Sequence, residues 1–151
     1  MTSMRSPDLR RSALFVAGAD AEFHAQALRA RPDMLIQDLE DGTPTQLRQA
    51  ARQCSAALFA EAKRHGIVVA VRINMLESIG REDLAAVIAA QPQVVFLPKC
   101  ASGAQVSALA RELDRLETQH HFPLGAIEIV PNAETAAGVM NLKEIALASA
   151  R

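Results

Sequence analysis

The sequence predicts an α/β fold with a parallel sheet, on three observations. Apolar, strand-like runs begin near Ala13, Met34, Ile67, Val94 and Ala126, at intervals of 21, 33, 27 and 32 residues, with a helical pattern between each pair. Met34-Leu35-Ile36, Val68-Val69-Ala70-Val71 and Val94-Val95-Phe96-Leu97 are near-continuous apolar runs, as strands covered on both faces should be. Charged and amide side chains follow several of these runs, at carboxyl ends that share one face in a parallel sheet. Right-handed crossovers would curl such strands into an arc. The expected architecture is therefore an incomplete TIM (β/α) barrel: 151 residues have room for about five of eight strand–helix units, against the ~250 residues a full barrel typically needs.

Each element has its own signal. The opening MTSMRSPDLRRSALFVAGAD resembles an export signal in outline, but its apolar run Ala13 to Ala19 is short, interrupted by Gly18 and closed by Asp20, so it is read as the first strand. In the helix after Gly42, Leu47, Ala50, Ala51, Cys54 and Leu58 recur at helical spacing, and the pattern ends at Gly66. The next helix follows Ser78, carries Leu84, Val87 and Ile88, and closes at Pro92. After Lys99, Ser102 is the expected N-cap of a helix with Val106, Leu109, Leu113 and Leu116 along one face. Beyond Asn132, Gly138 and Asn141 interrupt the pattern and predict two short helices instead of one long one. With no linker or low-complexity tract, residues 1–151 are expected to be a single partial barrel domain, ending before a sixth strand.

Half the residues are hydrophobic and the formal net charge is −1, which predicts a compact chain with no electrostatic bias. Sixteen Lys and Arg interspersed with seventeen Asp and Glu form no basic stripe, and five Phe without Trp or Tyr give bases little to stack on, so nucleic acid is excluded as a partner. No segment approaches the ~20 apolar residues of a membrane span. Cys54 and Cys100 lie in unrelated segments without metal-site spacing, which argues against zinc and disulfides and fits a reducing cytoplasm.

Arg72 closes an otherwise apolar strand. Its planar fork suits a carboxylate or phosphate, and a charge this near the sheet must be paired. It either ties strands together through Glu40 or Asp41 or meets an anionic substrate, with Asn74 adding an amide on the same side. Asp38, Glu40 and Asp41 place three carboxylates within four residues. Alone they read as an acidic loop turning at Asp41-Gly42; opposite Arg72 and Lys99 they become an anchor for those cations or for metal-bound water. Lys99 would hold a substrate anion, remain a surface lysine or, if desolvated, form a Schiff base with a carbonyl. Cys100 beside it has no base to activate it. Glu134, after the fifth strand, is the best ligand for a hard cation such as Mg²⁺, which takes one or two carboxylates and fills its remaining sites with water and substrate oxygen; the alternative is helix capping. Glu128, mid-strand, reads as a paired structural acid. The four histidines carry no site signal: His24 and His65 lie in helices, and His120-His121 precede the fifth strand.

With these residues placed, the chain resembles the citrate lyase beta-subunit-like enzymes of the HpcH/HpaI aldolase superfamily, which include malyl-CoA, citramalyl-CoA and citryl-CoA lyases. Arg11-Ser12-Ala13-Leu14-Phe15-Val16-Ala17-Gly18 resembles the opening RSxLFVPG, with Ala17 where proline is usual. Asp38-Leu39-Glu40-Asp41-Gly42 resembles the LDLEDG/A motif, with Gln37 in place of the common leucine. Ala51-Arg52, Val71-Arg72-Ile73-Asn74 and Leu97-Pro98-Lys99 also match, and Ala133-Glu134-Thr135 with Gly138-Val139 and Asn141 resembles the IETxxGVxN segment.

The resemblance implies reversible carbon–carbon cleavage or formation beside a carbonyl, commonly in a 3-hydroxy-acyl-CoA, with coenzyme A as part of the substrate. By the same resemblance Arg72 would bind the substrate carboxylate, Glu134 would ligate Mg²⁺ and approach the substrate, and Glu40 and Asp41 would support them. Mg²⁺ would polarise the oxo-acid carbonyl. The family's second metal carboxylate is an aspartate at the end of the next strand, which would begin just after Ala148-Ser149-Ala150-Arg151, so turnover by this chain is expected to be impaired. An open sheet edge and the resemblance together imply a homo-oligomer. Two other expectations stand beside this one: a non-catalytic remnant or accessory subunit that associates through the open edge, and a metal-free Schiff-base aldolase using Lys99.

Overall fold

The strands form where the apolar runs predict them. In the computed structural model, which describes residues 6–151, they are β1 (Ala13–Ala17), β2 (Met34–Asp38), β3 (Val68–Arg72), β4 (Val94–Leu97) and β5 (Glu128–Pro131). Every neighbouring pair is parallel and the spatial order β1-β2-β3-β4-β5 follows the chain, as in the wall of a barrel. Between them run α1 (Ala21–Ala30), α2 (Arg48–Arg64), α3 (Gly80–Val87) and α4 (Gly103–Gln119), with α5 (Ala136–Met140) and α6 (Leu142–Leu147) after β5.

The two faces of the sheet are covered differently. Leu35, Val69, Val71, Val95, Leu97 and Ile129 pack with helical Leu58, Phe59, Leu84, Leu109, Leu113 and Leu116 in one large core. Met34, Ile36, Val68, Ala70, Val94 and Phe96 form a second cluster made of strand residues alone. Helices therefore cover one face, and on the other the strand side chains pack on each other, as in a barrel interior. That double covering explains the near-continuous apolar runs. The fold is a partial TIM barrel of five parallel strands. The register aligns Ala17, Asp38, Arg72, Phe96 and Val130 in one row at the carboxyl end of the inner face, which puts Asp38 beside Arg72.

Two ion pairs fix the opposite end. Arg10, before β1, forks onto Glu128 at 2.5 and 2.9 Å, joining the two edge strands across the inner face and giving Glu128 its structural role. Glu117 of α4 is fully buried and accepts from Gly125 N–H, Ile127 N–H and the Arg151 guanidinium, which also reaches Asp114. Burial works to raise the Glu117 carboxyl, but Arg151 and the two backbone donors outweigh it and hold it below the ordinary range.

The helices depart from the sequence reading in two places. In α2 the buried stripe is Ala51, Ser55, Leu58, Phe59 and Ala62; Leu47 is exposed in the turn before the helix, and Cys54 is half-buried. Polar chemistry sets this phase. Gln37 on the helix-covered face of β2 is fully buried, donates to Gly18 O and Ala51 O at 2.9 and 2.8 Å, and accepts from Ser55 Oγ at 2.7 Å. Ser102 does occupy the N-cap of α4, but its side chain makes no capping bond; Glu144 of α6 instead accepts from Gly103 N–H at 2.8 Å. The two short helices after Asn132 are present, as are the buried stripes of α3 and α4.

Gln37 gives a direct prediction. Gln37→Leu, which restores the family's common residue, is expected to destabilise the chain by about 1–3 kcal/mol, because it strips the buried Gly18 carbonyl of its Gln37 donor and leaves the Ser55 hydroxyl only its longer bond to Ala51 O. Urea unfolding of the two proteins measures the difference; an equal or higher midpoint for the leucine variant would refute the assignment.

Candidate active site

Four strand exits, after β2, β3, β4 and β5, meet at the carboxyl end of the sheet. The first is the turn after β2, which Asp38 organises by accepting from Glu40 N–H at 3.0 Å and Gly42 N–H at 2.7 Å. Gly42 fits closely under this carboxylate, since a Cβ there would lie 2.2 Å from Asp38 Oδ2 and push the side chain aside. Thr43 Oγ accepts from Gly18 N–H at 2.7 Å and donates to Asp38 O, tying this turn to the end of β1.

Arg72, at the end of β3, completes Asp38. Its Nε and Nη2 donate to the two carboxylate oxygens at 2.8 and 2.5 Å, a bidentate pair in which Asp38 is buried and Arg72 half-buried. Burial works to raise the Asp38 carboxyl, but the Arg72 bond, with the Glu40 and Gly42 N–H groups, holds it below the usual range. Asp38 in turn raises the pKa of Arg72, and Glu40 and Glu134 act in the same direction. Arg72 Nη1 lies 3.2 Å from Glu40 Oε2, and the guanidinium sits 5.0 Å above the Phe15 ring. Asp38 takes two of five N–H donors, so the fork keeps hydrogens for a ligand. The strand-tying role weighed for Arg72 is thus filled by Asp38 and Glu40, and Asp41 pairs elsewhere.

Lys99 follows β4 in a left-handed conformation, φ 49°, which costs a non-glycine residue energy and directs both its ends into the site. Its N–H donates to Glu134 Oε1 at 2.8 Å, and its ammonium pairs with Glu40 at 2.7 Å and Asp41 at 3.1 Å. Donating to the Glu40 and Asp41 carboxylates raises the Lys99 pKa, opposite to what a Schiff-base lysine requires. The buried Cys100 thiol is pushed up by desolvation and reaches only Ser102 O, so it is no nucleophile.

Glu134 does not cap α5; Thr135 does, accepting from Gly138 N–H at 3.0 Å. The loop carrying Glu134 closes on the β4 exit through Cys100 N–H to Asn132 O at 2.9 Å and Asn141 Nδ2 to Ala101 O at 2.9 Å. A Cβ on Gly138 would come 2.3 Å from Cys100 O, so this closure needs glycine. The exposed Glu134 carboxylate, held at one oxygen by Lys99 N–H, faces the same space as Arg72, Glu40 and Asp41.

One expected contact is corrected. Asn74 is buried, and its Nδ2 hydrogens go to Leu39 O and Asp83 Oδ2, both at 2.8 Å, so it supports the loop and has no amide hydrogen left to offer a substrate. Asp83 itself was not anticipated. It lies on the apolar face of α3 with Leu84 and Val87, and a carboxylate in such a stripe is the signal that could have found it. His24 bonds to Ala17 O at the site's end of β1 but on the helix-covered side, away from the carboxylates.

The residues suit a hard cation that shares its ligands with substrate. Four carboxylates (Asp38, Glu40, Asp41, Glu134) surround two cations, an excess of two negative charges, and buried Glu40 Oε2 receives no hydrogen bond. Among the described residues no three His, Cys, Asp or Glu side chains form a metal cage. A hard cation such as Mg²⁺ takes one or two carboxylates and completes its shell with water and ligand oxygen.

The profile of the HpcH/HpaI aldolase/citrate lyase family matches residues 11–151. The citrate lyase subunit beta-like protein of Deinococcus radiodurans is 35% identical over 143 residues, covering 92% of this chain and 48% of that protein. Citrate lyase subunit beta of Haemophilus influenzae is 31% identical over 144 residues, covering 95% and 50%. The chain thus spans about half the length of these relatives. The citrate lyase beta subunit of Mycobacterium tuberculosis, solved with oxaloacetate and magnesium, superposes with a TM-score of 0.71 at 29% identity, over 94% of this chain and 56% of that one. Protein CitE from the same organism, with magnesium, acetoacetate and coenzyme A, gives 0.70 at 30%, over 93% and 47%.

Proposed function

The chain belongs to the HpcH/HpaI aldolase/citrate lyase family, and on that premise we propose that its site binds an oxo-acid and Mg²⁺ for carbon–carbon bond cleavage or formation. The family is one of lyases and aldolases, and structures of its Mycobacterium tuberculosis member have been solved with magnesium and pyruvate and with magnesium and oxaloacetate. The substrate proposed is a 3-hydroxy-acyl-CoA of the malyl, citramalyl or citryl type. The supporting observation is the bridge through Lys99, whose backbone holds Glu134 and whose side chain pairs with the Glu40 that flanks Arg72.

Each group has one task. Arg72 receives the substrate carboxylate on the hydrogens Asp38 leaves free, and Asp38 fixes the fork's plane. Glu134 ligates Mg²⁺, and Lys99 contributes a positive charge beside the substrate while neutralising Glu40 and Asp41. When bound, Mg²⁺ supplies Lewis-acid polarisation of the oxo-acid carbonyl. Residues 1–151 are proposed to be one partial barrel domain, working in the cytoplasm as a homo-oligomer.

The test is direct. Cleavage of malyl-, citramalyl- or citryl-CoA by the 151-residue chain should disappear in EDTA and return with Mg²⁺. Cleavage that survives EDTA and is trapped by borohydride at Lys99 would overturn the metal reading. A second reading is favoured by the open edge at β1, where Leu14 and Phe15 are 37% and 44% exposed: a non-catalytic or accessory subunit that docks by strand pairing. Concentration-dependent association with no turnover of any of the three thioesters would select it.

No helix among the described residues is long and apolar enough to cross a membrane.

A further inference from the structure

A buried carboxylate outside the site holds its geometry. Asp83, in the first turn of α3, has no solvent exposure, and its oxygens accept from Arg52 and Asn74, which lie outside its own helix. Its Oδ2 accepts from both the backbone N–H and the Nδ2 of Asn74 at 2.8 Å, and its Oδ1 accepts from Arg52 Nε of α2 at 2.9 Å. Asn74 Nδ2 in turn donates to Leu39 O at 2.8 Å, while Leu39 N–H donates to Arg72 O at 2.9 Å. Leu39 lies between Asp38 and Glu40, the two carboxylates against which Arg72 is set.

We propose that Asp83, clamped by Arg52, is a positioning residue: through Asn74 it pins the Leu39 peptide and so sets the Asp38–Arg72 fork and the place of Glu40. Both backbone polar groups of Leu39 are then occupied, one by β3 and one by the loop after it. Asp38 and Glu40 cannot shift along the sheet without breaking one of the two. Gly80 permits the loop to pack this closely, since a Cβ there would lie 2.2 Å from Asn74 O. The consequence for ligand affinity rests on the reading of Arg72 as the substrate-carboxylate group, whereas the pinning itself does not.

The experiment has two readouts on the 151-residue chain. The Nε–H of Arg72, assigned by its loss in Arg72→Lys, reports the fork by its chemical shift and hydrogen-exchange rate in NMR. The affinity for oxaloacetate with Mg²⁺ comes from calorimetry. Asn74→Ala leaves Asp83 with its backbone donor and Arg52, so the core keeps its charge balance; Asp83→Asn tests the carboxylate itself. Both variants should speed exchange at Arg72 Nε–H by tenfold or more and weaken oxaloacetate by a similar factor, while core amides in β3 and β4 keep wild-type protection. Unchanged Arg72 exchange in Asn74→Ala would overturn the proposal, as would a loss of protection spread evenly over the core. If the wild type binds no oxaloacetate, the functional reading fails while the exchange data still decide the pinning.

Discussion

Arg72→Ala is expected to destabilise the chain by about 3–5 kcal/mol at neutral pH and to abolish oxo-acid binding, because it leaves Asp38 and Glu40 buried without their shared cation. Asp38 and Glu40 side chains are only 4% and 5% exposed with Arg72 in place, so both charges depend on protein partners. For a domain whose total stability is about 5–15 kcal/mol, that is a large fraction. The pH dependence carries a signature. Asp38 titrates below its ordinary value in the folded protein, so it contributes stability above the unfolded carboxylate pKa of about 3.9, and that contribution is lost as pH falls through the folded value. Without Arg72, burial acts on Asp38 without its main counterweight, and the carboxyl moves up. The gap between wild type and variant should therefore be widest near pH 7 and shrink as pH falls toward about 4, closing fully only below the folded wild-type value. Urea unfolding at both pH values measures it; a gap constant across that range would show that the ion pair is not its source. Arg72→Lys separates the two losses, since it keeps the charge and removes the fork. It should recover part of the stability and little of the binding.

The same chemistry explains what the sequence made legible. Apolar runs and their spacing located all five strands, because strands packed on both faces leave little room for anything but Val, Ile, Leu, Ala and Phe. The strand-end positions of Arg72, Lys99 and Glu134 followed from topology alone, since carboxyl ends of parallel strands share a rim. Pairing did not follow. Alternation put Asp38 and Glu40 on one face, but only the register of β2 against β3 places Asp38 directly opposite Arg72. Asn74 was expected on the substrate side and is instead consumed by Leu39 and Asp83, whose place in the apolar stripe of α3 marks it as buried but does not name its partner. In α2, apolarity alone favoured Leu47 and Cys54, whereas the buried stripe includes the polar Ser55 because Gln37 waits for it across the core. Apolar periodicity is readable one residue at a time. Buried polar networks are not, because each member is explicable only by a partner distant in sequence.

Glu134→Gln is the sharpest test of the proposed metal site, since it removes one charge and almost nothing else. Glutamine keeps an oxygen at the position that accepts from Lys99 N–H, so the loop after β5 should retain its closure on β4 and its thermal stability. Mg²⁺ affinity in the presence of oxaloacetate should nonetheless fall by at least about 100-fold, since losing a group that merely orients a ligand already costs about 10–100-fold. The other carboxylates are engaged elsewhere: Asp38 Oδ1 and Oδ2 accept from Arg72, Glu40 N–H and Gly42 N–H, Glu40 pairs with Arg72 and Lys99, and Asp41 pairs with Lys99. Lys99→Met provides the contrast. It deletes the ammonium but keeps the backbone N–H that aims Glu134, so it should leave Mg²⁺ affinity undiminished while weakening the binding of the anionic substrate. Calorimetric titration of the three proteins distinguishes the cases. Equal Mg²⁺ affinity in wild type and Glu134→Gln would remove Glu134 as the ligand, and a fall in Lys99→Met alone would mean that charge balance at Glu40 and Asp41, and not direct coordination after β5, governs the ion.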